Sequence, residues 1–105
     1  MSGHGRSPGG GVSVVVIAQD EEANIAACLV SARWAEETVV EVGGSRDRTP
    51  EIARAAGARV HHNRWPGFSI QRDLSISLAT QGWVFVLDAD ERVPDELAKE
   101  IQEVV

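Results

Sequence analysis

The sequence predicts an α/β domain of three layers, a mostly parallel sheet flanked by helices. Two apolar runs, Val12 to Ala18 and Trp83 to Leu87, are rich in β-branched residues and nearly continuous rather than alternating, as in strands buried on both faces. Between and after such runs the apolar residues fall at helical spacing, so strands and helices alternate with short connections. Strands 12–18, 38–42 and 83–87 each give way to an acidic or glycine-rich turn. On parallel strands, turns that follow strands gather along one edge of the sheet, where ligands of open α/β folds bind.

The 105 residues allow one domain at most. A composition of 43% hydrophobic and 25% charged residues is that of a globular protein. The net charge of −6, with Lys99 the only lysine, argues against nucleic acid as a partner. A single cysteine, Cys28, has no internal disulfide partner and falls on the apolar side of a predicted helix, which makes it a small buried hydrophobe rather than a nucleophile. No apolar run reaches the roughly 18 to 20 residues that span a bilayer, so no transmembrane segment is expected.

Taken in order, Met1 to Gly11 is glycine-rich and aperiodic and reads as a disordered tail, with the ordered domain covering 12–105. After the first strand, Gln19-Asp20-Glu21-Glu22 opens a helix whose inner face is Ile25, Cys28, Leu29 and Ala32. Acidic residues suit the positive end of that helix's dipole, which is by itself a sufficient reason for them. Thr38 to Val42 is the next strand, closed by Gly43-Gly44-Ser45. Thr49 before Pro50 predicts a helix start with a hydroxyl cap and proline at the first helical position, and Gly57 ends that helix. Ala58 to His62 is a short strand; its His61-His62 pair points to opposite faces and does not make a metal site. Ile70, Leu74 and Leu78 stripe a further helix, and Val93-Pro94-Asp95-Glu96 opens a last one with Leu97, Ile101 and Val104 inward.

The chemistry concentrates at Asp88-Ala89-Asp90-Glu91. In an extended segment Asp88 and Asp90 leave the same face, and two carboxylates that close repel unless a proton or cation lies between them. A hard divalent ion that also bridges phosphates would suit them; a solvated acidic turn is the plainer alternative. Gly43-Gly44-Ser45 before a helix presents backbone N–H groups suited to phosphate, although a tight turn explains the glycines equally well. Neither a dinucleotide fingerprint nor a Walker loop is present.

Several of these stretches, in this order, resemble family 2 glycosyltransferases. Val14 to Ile25 is similar to the family's first strand and its Asn-Glu-Glu-type turn, and Gly44-Ser45-Arg46-Asp47-Arg48-Thr49 to its Gly-Ser-Thr-Asp-Arg-Thr turn. Trp65-Pro66-Gly67-Phe68, Gln71-Arg72-Asp73 and Leu87 to Arg92 resemble the branch that adds glucose to lipopolysaccharide core. The resemblance covers nearly all of Val12 to Val105. It implies a GT-A, Rossmann-like fold that binds a nucleotide-diphosphate sugar, a UDP-sugar first, with Mg²⁺ or Mn²⁺ on Asp88 and Asp90. Ala18, Asp20, Glu21, Val42, Asp47 and Asp88 are the implied nucleotide-binding positions. The implied reaction is inverting transfer to a glycan or glycolipid acceptor in cell-envelope synthesis, on the cytoplasmic side of the membrane and peripheral to its inner face.

Two departures from the family pattern accompany this. Val42 stands where the family has an aspartate that contacts the base, and Arg46 where it has a small threonine. The family's acceptor half and base lie beyond the acidic motif, so the resemblance implies the nucleotide-binding half of a transferase, with an uncovered sheet edge suited to self-association. The alternatives are a non-catalytic nucleotide-binding fragment and a receiver-like signalling domain, which would need a lysine at the pocket, whereas Lys99 sits in the last helix.

Overall fold

The computed structural model describes residues 2–5, 11–43, 46–62 and 82–104. In chain order the elements are β1 (Ser2–Gly5), β2 (Val12–Ala18), α1 (Ile25–Ser31), β3 (Glu37–Val42), α2 (Thr49–Ala55), β4 (Arg59–His62), β5 (Trp83–Asp88) and α3 (Asp95–Val104). The strands form one sheet in the order β1-β5-β2-β3-β4. All pairings are parallel except β1 with β5, which is antiparallel.

Within the stretch expected to be a disordered tail, residues 1 and 6–10 lie outside the described residues, and Ser2–Gly5 is a strand. Its pairing with Trp83–Val86 runs along the outer edge of β5, and ladder hydrogen bonds need only backbone groups. Glycine-rich composition therefore does not prevent the pairing. The expected helix around Ile70, Leu74 and Leu78, together with the Trp65 and Gln71 motifs, lies outside the described residues.

β2 is the centre of the sheet, and all seven of its residues are buried. Val12, Val14, Val16 and Ala18 share the main core with Val40, Val42 and Leu87, and with Ile25, Cys28 and Leu29 of α1, Ala53 of α2, and Ala98 and Ile101 of α3. The opposite face is also buried, around Val15, Val39 and Val84. This two-sided burial is why the strands read as unbroken apolar runs rather than alternating ones.

The helix ends differ in detail from the pattern expected of them. Arg48 rather than Thr49 is the N-cap of α2 and makes no side-chain cap bond, and Thr49 is already helical. The Thr49 hydroxyl is committed elsewhere, as described below. At the other end, Gly57 has φ +90°, donates to the Arg54 carbonyl at 3.0 Å, and is followed by Ala58 donating to Ala53 at 3.1 Å. This is a Schellman ending with glycine in its left-handed position.

Two outcomes follow for stability. Leu87 is 1% exposed in the main core, so Leu87→Ala is expected to cost about 2 to 5 kcal/mol in urea denaturation. Gly57→Ala meets no steric obstacle, since nothing lies within 4 Å of an added Cβ. It is expected to lose about 1 kcal/mol through backbone conformation alone, and Gly57→Asn less.

Candidate functional site

Register brings the polar turns together. Ile17 pairs with Glu41 on one side and with Asp88 on the other, and Ala18 pairs with Val42. The three strands therefore end on nearly one line, and the ends of β3 and β5 are two strand spacings apart, about 10 Å. The turn at 19–22, Gly43 with Arg46 and Asp47, and the turn at 88–91 share the carboxyl edge of the sheet, as the sequence predicts.

The first two turns are cross-braced. Asp20 has φ 53°, a left-handed conformation that aspartate tolerates better than most side chains. Its Oδ1 accepts the Arg46 N–H at 2.7 Å. In return, Asp47 Oδ2 accepts the Glu22 N–H at 3.1 Å, and the Thr49 hydroxyl oxygen accepts the Glu21 N–H at 2.9 Å. Asp47 Oδ1 takes both the Thr49 N–H, at 3.0 Å, and the Thr49 hydroxyl proton. The Thr49 hydroxyl first, and then the backbone N–H groups, hold the Asp47 carboxyl below its ordinary value. Side chains of each turn thus satisfy backbone donors of the other, leaving neither loop to find its shape alone.

The acidic turn is built differently from the expected extended pair. β5 stops at Asp88, and Ala89-Asp90 is a turn closed by the Glu91 N–H on the Asp88 carbonyl at 2.9 Å. Asp88 and Asp90 are therefore placed by a turn and not by a strand pleat. The Glu91 carboxylate reaches back to the Asp88 N–H at 2.8 Å, and Ala89 donates to the Ile17 carbonyl at 3.3 Å. Asp88 is half-buried and Asp90 exposed. Cys28, fully buried beneath the turn, directs its thiol to the Asp88 carbonyl at 3.8 Å. Burial pushes its pKa up to about 12, against the opposing charge of Arg92, in keeping with a packing role.

Carboxylate oxygens are suitable donors for Mg²⁺ or Mn²⁺. Among the described residues no group of three or more His, Cys, Asp or Glu side chains gathers to hold a metal. Asp88 and Asp90 would therefore supply only part of a coordination shell, as magnesium sites completed by phosphate and water do.

Of the predicted nucleotide positions, Ala18 and Val42 are buried, 1% and 0% exposed, with side chains in the main core. They have only backbone groups to offer the edge. Glu41 faces the other side of the sheet, fully buried, with Oε2 at 3.0 Å from His61 Nδ1. Asp20, Glu21 and Asp47 lie at the edge within the cross-brace. Gly44 and Ser45 lie outside the described residues. Residues missed in the sequence are Asn24, Glu91 and Arg92, whose side chains tie the turns together. Their only signal was position, three residues after Glu21 and directly after Asp90.

Comparison with known proteins identifies the family and the fold. The chain matches the model of glycosyl transferase family 2 over residues 13–105, and it belongs to that family. It is 44% identical over 84 residues to a TPR repeat-containing protein of Synechococcus elongatus, covering 78% of this chain and 21% of that protein. It is 29% identical over 99 residues to the lipopolysaccharide core biosynthesis glycosyltransferase LpsC of Rhizobium meliloti, covering 90% and 37%. Among solved structures it is similar to glucosyl-3-phosphoglycerate synthase of Mycobacterium tuberculosis crystallised with Mn²⁺, UDP-glucose and phosphoglyceric acid. That match has a TM-score of 0.74 and 28% identity, covering 88% of this chain and 38% of that one. The fold is therefore GT-A and Rossmann-like, and the chain spans between about a fifth and two fifths of the length of these proteins.

The cross-brace predicts a pH dependence. Asp47 has a lowered folded pKa, so its charge stabilises the fold above the unfolded carboxylate pKa of about 3.9, and that contribution is lost as pH falls through the folded value. Asp47→Asn should be less stable than the wild type at pH 7, with the gap closing between about pH 4 and the acid limit of folding. Urea midpoints measured from pH 7 to 3 check this; a gap independent of pH would show that the charge is immaterial.

Proposed function

We propose that this chain carries the donor-nucleotide half of an inverting, metal-dependent glycosyltransferase. The donor would be a nucleotide-diphosphate sugar, a UDP-sugar first, and the acceptor a glycan or glycolipid of the cell envelope, with lipopolysaccharide core the favoured case. The observation that carries this reading is the convergence of the 19–22 turn, Gly43 with Arg46 and Asp47, and the 88–91 turn on one sheet edge. Asp20, Glu21 and Asp47, with backbone at Ala18 and Val42, lie where base and ribose would be held, and Asp88 and Asp90 where the diphosphate would be met. The family membership supports it, as do the Mn²⁺ and UDP-glucose bound by the mycobacterial relative. Such an enzyme would work at the cytoplasmic face; among the described residues no helix is long and apolar enough to cross a membrane.

The transfer breaks the bond between the anomeric carbon and the diphosphate and forms one to an acceptor hydroxyl arriving from the opposite face. The hydroxyl proton passes to a general base. A divalent ion on Asp88 and Asp90 would supply positive charge to the departing diphosphate. The residues of this edge bind and orient the donor; none of them is assigned as the base. Val42 in the core, where the family has a base-contacting aspartate, favours weaker base recognition and keeps a non-catalytic nucleotide-binding role as the second reading.

Metal and nucleotide should bind together. Each is expected to raise the affinity for the other about ten-fold or more, and by the same factor. Calorimetric titration of UDP with and without Mn²⁺ measures this. Asp88→Asn and Asp90→Asn should remove most of the coupling while the melting temperature holds. Equal affinity in both conditions, or unchanged coupling in the variants, would leave the motif a solvated acidic turn. With no base assigned among these residues, transfer from UDP-glucose to an added acceptor is not expected of this chain alone, and measured transfer would show that the base has been misplaced.

A further inference from the structure

We propose that Arg92 is a positioning residue that fixes the spacing between the acidic turn and the first nucleotide loop, a role that rests on the donor-binding function proposed above. Its guanidinium is used as a fork. Nη1 donates to the carbonyls of Ala89 at 3.2 Å and Glu91 at 2.8 Å, gripping the turn that carries Asp90. Nη2 donates to Asn24 Oδ1 at 3.2 Å. Asn24 in turn donates through Nδ2 to Glu21 Oε2 at 3.1 Å. An unbroken polar chain therefore runs from Glu21 through Asn24 and Arg92 to the backbone around Asp90.

The use made of Asn24 supports this. It is the N-cap residue of α1, where an asparagine side chain ordinarily accepts a backbone N–H of the first turn. Here it makes no cap bond, and both ends of its amide go instead to Glu21 and Arg92. The rest of the segment is laid along the same side of α1. Cys28, four residues on, meets the Asp88 carbonyl, and Ser31 Oγ, seven residues on, accepts the Val93 N–H at 2.9 Å. Positions 24, 28 and 31 share one helix face, so α1 acts as a rail for residues 88–93. The two inner contacts are shielded, whereas Arg92 is exposed and holds the end nearest the loop. Lysine has the charge of arginine but not its planar fork, and cannot grip the carbonyls and the amide together.

The test compares UDP titrations of the full chain, with and without Mn²⁺, in wild type, Arg92→Lys, Arg92→Gln, Asn24→Ala and the Asn24→Ala/Arg92→Gln double variant. Loss of an outer-shell partner typically weakens metal binding about 10- to 100-fold. Arg92→Lys, Arg92→Gln and Asn24→Ala should each weaken UDP binding in Mn²⁺ about ten-fold and leave metal-free binding within about two-fold. The double variant should be no weaker than Arg92→Gln, because the two residues act through one contact. Melting temperatures separate this from unfolding, and Asn24→Ala, which leaves Arg92 in place, serves if the Arg92 variants fail to fold. A wild type whose UDP binding ignores Mn²⁺ would defeat the metal-dependent donor reading and this role with it. A coupled wild type with coupling retained in Arg92→Lys and Asn24→Ala would overturn the positioning role alone, leaving Arg92 as a point charge; additive losses in the double variant would do the same.

Discussion

The register of β2 against its two neighbours is the constraint on which the remainder of this structure depends. β2 is hydrogen-bonded on both sides, and Ile17 faces Glu41 across one ladder and Asp88 across the other. A slip of one residue in either ladder would exchange faces along a whole strand. Val40 and Val42 would leave the main core, and the buried Glu41 carboxylate would enter it. Two apolar faces of different composition, one around Val14, Val16 and Val42 and the other around Val15, Val39 and Val84, make that slip expensive. The same register decides where three strands stop, and hence which polar residues can meet.

At the edge itself, the carboxylates brace the turns and, in the proposed reading, would also face the donor. Asp20 and Asp47 accept exposed backbone N–H groups from opposite turns, bonds strengthened by the charge of the carboxylate acceptors. Their orientation is thereby set before any ligand arrives, which lowers the ordering cost of binding. The same commitment limits how freely either can turn toward a ribose. At the third turn Glu91 accepts the Asp88 N–H while Arg92 donates to the Ala89 and Glu91 carbonyls, and together they fix where the turn's backbone sits.

Much of this was legible in the sequence, for a physical reason. Val12–Ala18 was read to the residue, and Trp83–Asp88 to within one, because strands buried on both faces leave an uninterrupted apolar signal. Gly57 was legible because a left-handed helix ending has few other solutions. What escaped was long-range pairing. Ser2–Gly5 carries no strand pattern and is ordered only by the open edge of β5. Thr49 reads locally as a cap, yet its hydroxyl serves Glu21, 28 residues away in sequence. Asn24 and Arg92 are separated by 68 positions, and no local rule pairs them. The candidate site was thus visible as a set of turns, while the bonds that assemble those turns were not.

Val42 and Glu41 show how one substitution propagates from packing to recognition. At the end of β3 the side chain of residue 42 points into the helix-side core, and valine fills it with no exposed surface. A carboxylate there would be desolvated among Ala18, Val40 and neighbouring apolar groups, and would be tolerable only when a ligand donor met it. Valine removes that requirement, and under the proposed donor-binding reading base recognition would pass to backbone groups and the braced turns. Glu41, one residue earlier, cannot compensate, because the strand pleat sends it through the other face. There it is fully buried, paired with His61 through Oε2, and among the described residues Oε1 finds no hydrogen-bond partner. A buried carboxylate half-satisfied in this way costs stability on a face that gains nothing at the nucleotide edge. If the edge holds the proposed donor, its affinity should therefore depend more on the diphosphate and its cation than on the base.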